Sequence, residues 1–385
     1  MRSPAETLDE PARAADAPRA RAGEASPAFN GNSIHEQCNR ANGKRSARAR
    51  RRNSLDHAGV HETRGPGARE RFFSLGDRAS WQVAERMTRA RVFGKRPVGV
   101  YLRFGEWTWR HLPRSITTRR LATGYARFVH GLVRLQGDRR QYFGTFFFRN
   151  RPQLELICRL AELRRRGSAV RIAVVGCSLG AEVYSISWSI RSARPDLKTT
   201  MQAVDISEEA LAVAREGVYS LGVSQLADEP MLERATEDEM RAMFDREGEK
   251  LRVKSCIKDG IRWSVADARD PQIVDSLGRQ DLVVANDFLC HMEPPEAESC
   301  LRNLARLVDT GGYLVVSGID LDVRTKVANA LRWKPVNDSI EDIHEGDRSL
   351  RLSWPWRYWG LEPFDKSRPD SNVRYASAFQ IGEAT

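Results

Sequence analysis

The sequence predicts an α/β fold in which a parallel sheet is covered by helices on both faces. Strand-like apolar runs alternate with helical patterns from about residue 150 onward. The run that begins at Val170 passes through a glycine turn into a helix-like segment. Several predicted strands also end in polar residues, including Asp205, Asp267 and Asn286. Open sheets of this kind bind ligands at the carboxyl ends of their strands.

The chain has 385 residues, of which 41% are hydrophobic, and this is enough for a tail, a small domain and a larger domain. We expect a disordered tail over residues 1–68, which are rich in Ala, Arg, Pro and Gly and contain the basic run Lys44–Arg52. A helical domain is expected over 69–150, and the α/β domain over 151–385. Residues 320–385 form a tryptophan-rich final segment of that domain.

Positive charge is concentrated at the front of the chain. Residues 1–150 hold 30 Lys and Arg against 13 Asp and Glu, a net charge of +17, whereas the remainder has a net charge of −6. An acidic partner could bind there, either nucleic acid, a membrane surface, an acidic protein or a small molecule, or the surface could simply be solvated. Because there is no run of 18 apolar residues and no signal-peptide pattern, we expect a soluble, cytosolic protein without a membrane partner.

The predicted elements follow in chain order. Helical spacing appears in Trp81–Met87, in Leu121–Val133 and through Leu154–Leu163. Two further helices are predicted, one after the N-cap Ser207 and one that starts at Pro294 and continues through Leu307. After the strand at Val170, further strands are predicted at Thr199–Asp205, Ile261–Ala266, Asp281–Ala285, Tyr313–Ser317 and Val373–Ile381.

The turn after the first strand indicates the charge of its ligand. Gly176 and Gly180 allow a sharp turn and a close approach of the backbone to a ligand. Glu182, at the start of the next helix, presents a carboxylate where a phosphate site would present lysine or bare amides. An ammonium or sulfonium group suits this site better than a phosphate. The six cysteines show no CxxC pairing, so no metal site is predicted.

Two aspartates extend this candidate site. Asp205 ends the second strand, where a carboxylate can accept both hydroxyls of a ribose, although an aspartate before a helix is often only a cap. Asp267 ends the third strand and could meet an adenine amino group, or could be a turn residue. NAD is the first competing cofactor, but the loop lacks G-x-G-x-x-G spacing and Glu182 would repel a pyrophosphate.

Several motifs in order resemble the CheR-type chemotaxis receptor methyltransferases over about Arg71 to Gly318. The segments that carry the resemblance are Thr145–Arg149, Gly176–Ile186, Ala203–Ser207, Ala210–Tyr219, and Phe244 ahead of Val253. The resemblance implies a Rossmann-like class I methyltransferase sheet behind a small helical domain, with a small antiparallel subdomain at about 219–261. It also implies S-adenosylmethionine (SAM) as cofactor and the carboxylate of a receptor glutamate as acceptor.

The resemblance also implies which residues form the cofactor site. Glu182 would face the amino group of the cofactor, Asp205 its ribose, and Asp267 its adenine. Arg149 is the candidate catalytic residue, since a guanidinium can orient an attacking carboxylate bidentately; alternatively, it forms a structural ion pair at the domain joint. The expected cofactor-binding residues are Thr145, Phe147, Arg149, Gly176, Cys177, Gly180, Glu182, Asp205, Ile206, Asp267, Ala268, Asn286 and Asp287.

The segment after the fourth strand departs from the family pattern. Asn286 stands where the family has arginine, Asp287 where it has asparagine, and His291 where it has tyrosine. His291 could act as a general base for a hydroxyl or donate a hydrogen bond to an acid, or it could only pack against the next helix. We give Glu293–Glu296 no catalytic role.

The final segment has no match in the receptor enzymes. Its tryptophans, Trp333, Trp354, Trp356 and Trp359, could wall a pocket, but a satellite core is the preferred interpretation. We therefore expect a methyltransferase that acts on a carboxylate of a small metabolite or a protein. A nucleic-acid methyltransferase is a less favoured alternative, and a non-catalytic SAM-binding protein is another.

Overall fold

The structure is a computed structural model that describes residues 97–113, 116, 120–136, 143–163, 169–222, 230–347, 350–351, 354–357 and 361–382. The expected tail at 1–68 and the helical pattern at Trp81–Met87 lie outside these residues. A search of the described helices finds none with the length and apolar character needed to cross a membrane.

Twelve α-helices are numbered here among the described residues, and a 3-10 turn at Leu289–His291 precedes α9. The helices are α1 Pro97–His111, α2 Arg120–Gln136, α3 Arg151–Glu162, α4 Ala181–Ala193, α5 Glu208–Glu216, α6 Glu237–Met243, α7 Ser255–Lys258, α8 Ile273–Leu277, α9 Pro294–Leu307, α10 Leu321–Ala330, α11 Ile340–Glu345 and α12 Ser371–Arg374. The expected pattern at Leu121–Val133 therefore lies within α2. Ser207 caps α5 by accepting a hydrogen bond from the Ala210 amide, as predicted.

The same residues contain ten strands. These are β1 Ala169–Val175, β2 Lys198–Asp205, β3 Val218–Ser220, β4 Phe244–Glu247, β5 Lys250–Val253, β6 Ile261–Val265, β7 Gln280–Ala285, β8 Val308–Val316, β9 Lys334–Pro335 and β10 Ala378–Gln380. The strand predicted over Val373–Ile381 is wrong in its first half, because Ser371–Arg374 forms α12 and pairing begins only at Ala378. Strand β9 was not predicted, and its two residues are too few to show a period.

The main sheet has the strand order β6-β2-β1-β7-β8-β10-β9. Its first five strands are parallel, and β10 runs antiparallel to both β8 and β9. The chain leaves β1 toward β2 on one side and later returns to β7 on the other. The strand order thus reverses between β1 and β7, and this reversal leaves a crevice at the carboxyl ends of these strands.

Alternate residues of β1 face two different halves of the core. Ile172 and Val174 pack with α3 and α4 on one face, whereas Ala173 and Val175 pack with α8, α9 and α10 on the other. All six residues of β7 are buried. A sheet covered on both faces explains why these strands are continuous apolar runs rather than alternating ones. The predicted α/β architecture is confirmed, and it is a Rossmann-like sheet.

A second sheet of three antiparallel strands, in the order β3-β5-β4, lies within the segment assigned to the small subdomain. Phe147 packs edge-on against Tyr219 of β3 and Phe244 of β4, with ring centroids 5.2 Å apart in both contacts. Phe147 is fully buried, so its ring joins the main domain to this sheet. Phe147 thus has a packing role here, and its predicted contact with the cofactor stays a prediction.

Tryptophans of the final segment take part in packing. Trp333 is 6% exposed and its ring lies 5.6 Å from that of Phe379 in β10. Trp356 packs with Val129 and Val133 of α2, beside Cys290. These contacts agree with the packing interpretation for both residues, whereas Trp359 lies outside the described residues.

The aromatic contacts of Phe147 predict a large loss of stability for Phe147→Ala. Removal of a buried aromatic ring costs about 3–5 kcal/mol, because the contacts are lost and a cavity remains. Urea denaturation followed by circular dichroism measures the free energy of unfolding. Leu163→Ala is the control, because Leu163 is 69% exposed and its loss should change that free energy by less than about 0.5 kcal/mol. Equal effects of the two variants would contradict this role for Phe147.

Candidate functional site

A cleft of about 290 Å³ opens at the carboxyl ends of β1, β2, β6 and β7. This is the edge where the strand order reverses, and the volume is close to the lower limit of roughly 300 Å³ for small-molecule sites. Each of the four strands contributes residues that lie at its end or within three positions after it. They are Gly176 and Cys177, Asp205 and Ile206, Asp267 and Ala268, and Asn286 and Asp287.

The glycine turn brings bare backbone to the floor of the cleft. Gly176 has a φ of +73°, and a Cβ there would lie 2.5 Å from the ring of Phe288. Only glycine fits this position, because it tolerates the left-handed backbone and leaves room for the ring. Gly180 lies farther along, at the N-cap of α4, and is absent from the cleft lining. Its predicted contact with the cofactor stays a prediction.

Asp205 is 6% exposed and holds the turn in place. Its Oδ2 accepts a hydrogen bond from the Ser178 amide at 2.7 Å, and its Oδ1 accepts one from the Ser207 amide at 2.9 Å. Each carboxylate oxygen has a second lone pair. Asp205 can therefore shape the turn and still accept hydrogen bonds from ligand hydroxyls.

Asp267 faces the same cleft but is already ion-paired. Arg269 approaches its Oδ2 to 2.7 Å and also contacts Glu296 at 3.0 Å. The hydrogen bonds from Arg269 hold the pKa of Asp267 below its usual range. Glu296, for which no role was predicted, thus lines the cleft as a partner of Arg269.

Glu182 stands at the start of α4, between the cleft and the end of β7. Its Oε1 accepts a hydrogen bond from Asn286 Nδ2 at 2.6 Å. Burial raises the pKa of Glu182 to about 7; the bond from Asn286 opposes this rise, and the nearby charge of Asp287 adds to it. Because the carboxyl group ionises near neutral pH, a cationic ligand would favour its charged form.

Arg149 and Asp287 form an ion pair of 2.6 Å across the cleft. A second nitrogen of Arg149 donates to the Gly144 carbonyl at 2.8 Å. Burial acts to lower the pKa of Arg149, but the carboxylate of Asp287 raises it above its usual range. Arg149 is thus ion-paired at the end of β7, and the pair uses only part of a guanidinium with five N–H groups.

Asp287 has an unusual backbone for its residue type. Its φ is +60°, and a Cβ on the adjoining Gly318 would overlap its backbone. The Asp287 amide also donates to the Ser317 carbonyl at 3.1 Å. A strained residue at the end of β7 is typical of a functional site, where tight packing maintains the strain.

His291 lines the cleft on the 3-10 turn after β7, and its amide donates to the Phe288 carbonyl at 3.1 Å. The remaining predicted site residues also reach the cleft, except for Phe147 and Gly180. Sequence reasoning missed Phe143, Phe146, Ser178, Arg269, Phe288 and Met292. Among these, Ser178 and Phe288 directly follow the predicted residues Cys177 and Asp287. Their positions next to the ends of strands could therefore have identified them.

The cleft has the chemistry of a site for a cationic nucleoside. Glu182, Asp205 and Asp267 present carboxylates, while the arginines in the lining, Arg149 and Arg269, are ion-paired. These hydrogen-bond acceptors fit an amino group, a sulfonium and ribose hydroxyls. It does not suit a pyrophosphate, which needs free amides or cations.

A match to a family model supports this assignment. Residues 144–323 match the family model described as CheR methyltransferase, SAM binding domain. An uncharacterized 104.1 kDa protein in the hypE 3' region of Rhodobacter capsulatus is 27% identical over 167 residues. That alignment covers 42% of this chain but only 16% of the relative, so the chain spans a small part of that protein.

Several solved methyltransferase structures align with part of this chain at low identity. The N-methyltransferase NodS from Bradyrhizobium japonicum WM9 is 17% identical, with a TM-score of 0.29, over 48% of this chain and 76% of its own. The amino pentose methyltransferase CalS10 from Micromonospora echinaspora is 16% identical, with a TM-score of 0.26, over 43% of this chain and 49% of its own. Similarities this weak give no information about the methyl acceptor of this chain. The family match covers residues 144–323, which therefore resemble the SAM-binding domain of the CheR methyltransferases.

Proposed function

We propose that this enzyme transfers the methyl group of SAM to a carboxylate, either of a small metabolite or of a protein glutamate. The position of Arg149 is the observation that carries the proposal. Its guanidinium lines the cleft beside Glu182, and N–H groups not used by Asp287 and Gly144 are available to a ligand. A guanidinium is the side chain best suited to orient a carboxylate.

We further propose how the cleft residues hold SAM. Glu182 accepts hydrogen bonds from the amino group, Asp205 accepts them from the ribose hydroxyls, and Asp267 lies near the adenine. Thr145, Cys177, Ile206 and Ala268 supply contacts around the nucleoside. This arrangement is supported by the three carboxylates of the lining, which match the cationic amino acid end of SAM and its hydroxyls.

The reaction needs alignment rather than acid or base catalysis. SAM supplies an activated methyl group on a sulfonium. An oxygen of the acceptor carboxylate forms a bond to the methyl carbon while the carbon–sulfur bond breaks, and the electron pair stays on sulfur. The carboxylate is already ionised at neutral pH, so no proton has to be removed. Arg149 orients the acceptor, and His291 at the rim of the cleft can donate a hydrogen bond to it.

The less favoured functions make different predictions. A nucleic-acid methyltransferase would bind its substrate with a steep dependence on salt, because counterions are released from the phosphates. A non-catalytic protein would bind SAM without turnover. The asymmetric charge of the chain agrees with the first alternative, whereas the acidic cleft favours a small cationic cofactor and does not distinguish between acceptors.

Asp205→Asn should weaken SAM binding about 10- to 100-fold, because hydrogen bonds to a charged acceptor are lost. Isothermal titration calorimetry measures the affinity directly. Glu208→Gln is the control, since Glu208 lies exposed in the first turn of α5 and should bind SAM normally. Unchanged affinity in Asp205→Asn would contradict the assignment of the ribose site.

SAM affinity should rise about fivefold to tenfold between pH 6 and pH 7.5. The pKa of Glu182 is raised to about 7, so its carboxyl is mostly protonated at pH 6 and mostly ionised at pH 7.5. Titrations at both pH values measure the change, and Glu182→Gln should abolish it. S-adenosylhomocysteine retains the amino group without the sulfonium charge, so it should show the same dependence. A response confined to SAM would contradict the amino-group contact.

Arg149→Lys should lower kcat/KM for a carboxylate acceptor about 10- to 100-fold, because an ammonium cannot hold a carboxylate bidentately. The assay follows transfer of labelled methyl groups and identifies the product as a methyl ester by release of methanol in base. SAM affinity should change less than about threefold in this variant. A larger fall in affinity would indicate instead that Arg149 contacts SAM.

Arg159→Lys is the matched control, because Arg159 is exposed on α3, away from the cleft, and should keep full activity. Product methyl groups that base does not release as methanol are not methyl esters, and such a product would contradict a carboxylate acceptor. Transfer to DNA or RNA with steep salt dependence would favour the nucleic-acid alternative.

A further inference from the structure

A smaller cavity of about 40 Å³ adjoins the cofactor cleft behind the Arg149–Asp287 ion pair. Phe146, Arg149, Glu182 and Asp287 line both cavities. The far side of the smaller cavity, which we call the inner chamber, is formed by Gln153 of α3, Arg324 of α10 and Ser377 before β10. A water needs roughly 10–15 Å³ of such volume, so the chamber has room for about three waters or one carboxylate-sized group.

The inner chamber contains hydrogen-bond donors without partners. Gln153 Nε2, Arg324 Nε and Ser377 Oγ are buried and have no hydrogen-bond partner within the described chain. The three residues are 4%, 3% and 7% exposed, respectively. Gln153 Oε1 accepts a hydrogen bond from Asn286 at 2.9 Å, so the amide group is held in one orientation with its Nε2 unused. Buried donors are normally satisfied, so three unused ones around a single cavity indicate a site that suits a hydrogen-bond acceptor.

Arg324 also brings a positive charge that the described residues leave without a carboxylate. Its two terminal nitrogens donate to the carbonyls of Val316 and Arg374, at 2.9 and 2.8 Å. Burial lowers the pKa of Arg324 to about 9, so the guanidinium remains charged at neutral pH. Buried charges in proteins are usually paired, and here no ion pair with a described acidic residue accompanies this one.

The acidic groups of the chamber already have partners. Asp287 pairs with Arg149, Asp347 pairs with Arg234 at 3.5 Å, and Glu182 accepts a hydrogen bond from Asn286. Burial lowers the pKa of His344 to about 3, so this side chain is neutral. The chamber therefore offers a ligand hydrogen-bond donors and the positive charge of Arg324.

We propose that the inner chamber is a carboxylate-binding subsite of the methyl acceptor. Arg324, Gln153 and Ser377 would hold the carboxylate from the chamber side, and Arg149, which lines both cavities, would orient it toward the cofactor cleft. Arg324 and Ser377 lie beyond the matched residues 144–323, so the family match does not supply this subsite. The inference rests on the proposed function, and the carboxylate could belong to a free acid or to a protein side chain.

Acetate and acetamide test the subsite directly in the full chain without SAM. They have similar shapes, but only acetate is anionic. At constant ionic strength, acetate should raise Tm and give a saturable calorimetric titration, and acetamide should do neither. Equal responses to acetate and acetamide would overturn the proposal.

The variant Ser377→Ala tests acetate binding separately from the stability of the fold. The substitution removes an unpartnered hydroxyl, so Tm without acetate should stay the same or rise, while acetate affinity should fall about tenfold. Ser192→Ala is the matched control, because Ser192 is another buried serine with an unpartnered hydroxyl, 8% exposed and outside the chamber lining. An equal loss of acetate affinity in both variants would overturn the proposal.

Activity assays distinguish the two sources of the carboxylate. Small mono- and dicarboxylic acids are compared with glutamate-containing peptides as acceptors, and Ser377→Ala should raise KM about tenfold for the class that is methylated. A KM unchanged by Ser377→Ala overturns the subsite but leaves carboxyl methylation intact. If no carboxylate is methylated while SAM still binds, it is the proposed function that fails.

Discussion

The ion pair between Arg149 and Asp287 is the contact on which both cavities depend. It connects the segment before α3 to the end of β7, and its two side chains form the wall between the cofactor cleft and the inner chamber. The contact requires a left-handed backbone at Asp287, which the absence of a side chain at Gly318 permits. The aspartate, the arginine and the glycine therefore act as one unit, although they are far apart in the chain.

This ion pair changes what Arg149 can offer an acceptor. The carboxylate of Asp287 neutralises the guanidinium and fixes its orientation, so an incoming carboxylate has to share it. A second cation nearby would offset the repulsion from Asp287. Arg324 lines the chamber and is not paired with a described carboxylate. An acceptor site built from both arginines is therefore electrostatically more favourable than one built from Arg149 alone.

The sequence predicted the parallel strands and the cleft well because both follow from local patterns. Apolar runs identify β1, β2 and β7, and the polar residues after them meet at one sheet edge. Such patterns do not resolve the run Phe146–Phe148, because three consecutive aromatic residues show no periodicity. The sequence therefore does not indicate which of the three rings faces the cleft. Phe148 adopts a φ of +54°, whereas Phe147 is fully buried and Phe146 lines the cleft. The inner chamber was not predictable, because Gln153, Arg324 and Ser377 belong to distant segments and match no motif.

Asn286 explains how the two cavities can be linked physically. Its Nδ2 donates to Glu182 Oε1 at 2.6 Å and to Gln153 Oε1 at 2.9 Å, so one side-chain amide joins a carboxylate at the cleft to an amide in the chamber. Its Oδ1 accepts from the Ser317 amide at 2.9 Å, which fixes the amide orientation. The arginine that the family resemblance places at this position would add a third cation between Arg149 and Arg324. An asparagine instead supplies directed hydrogen bonds without charge, and the positive charge around the chamber stays with the two arginines that line it.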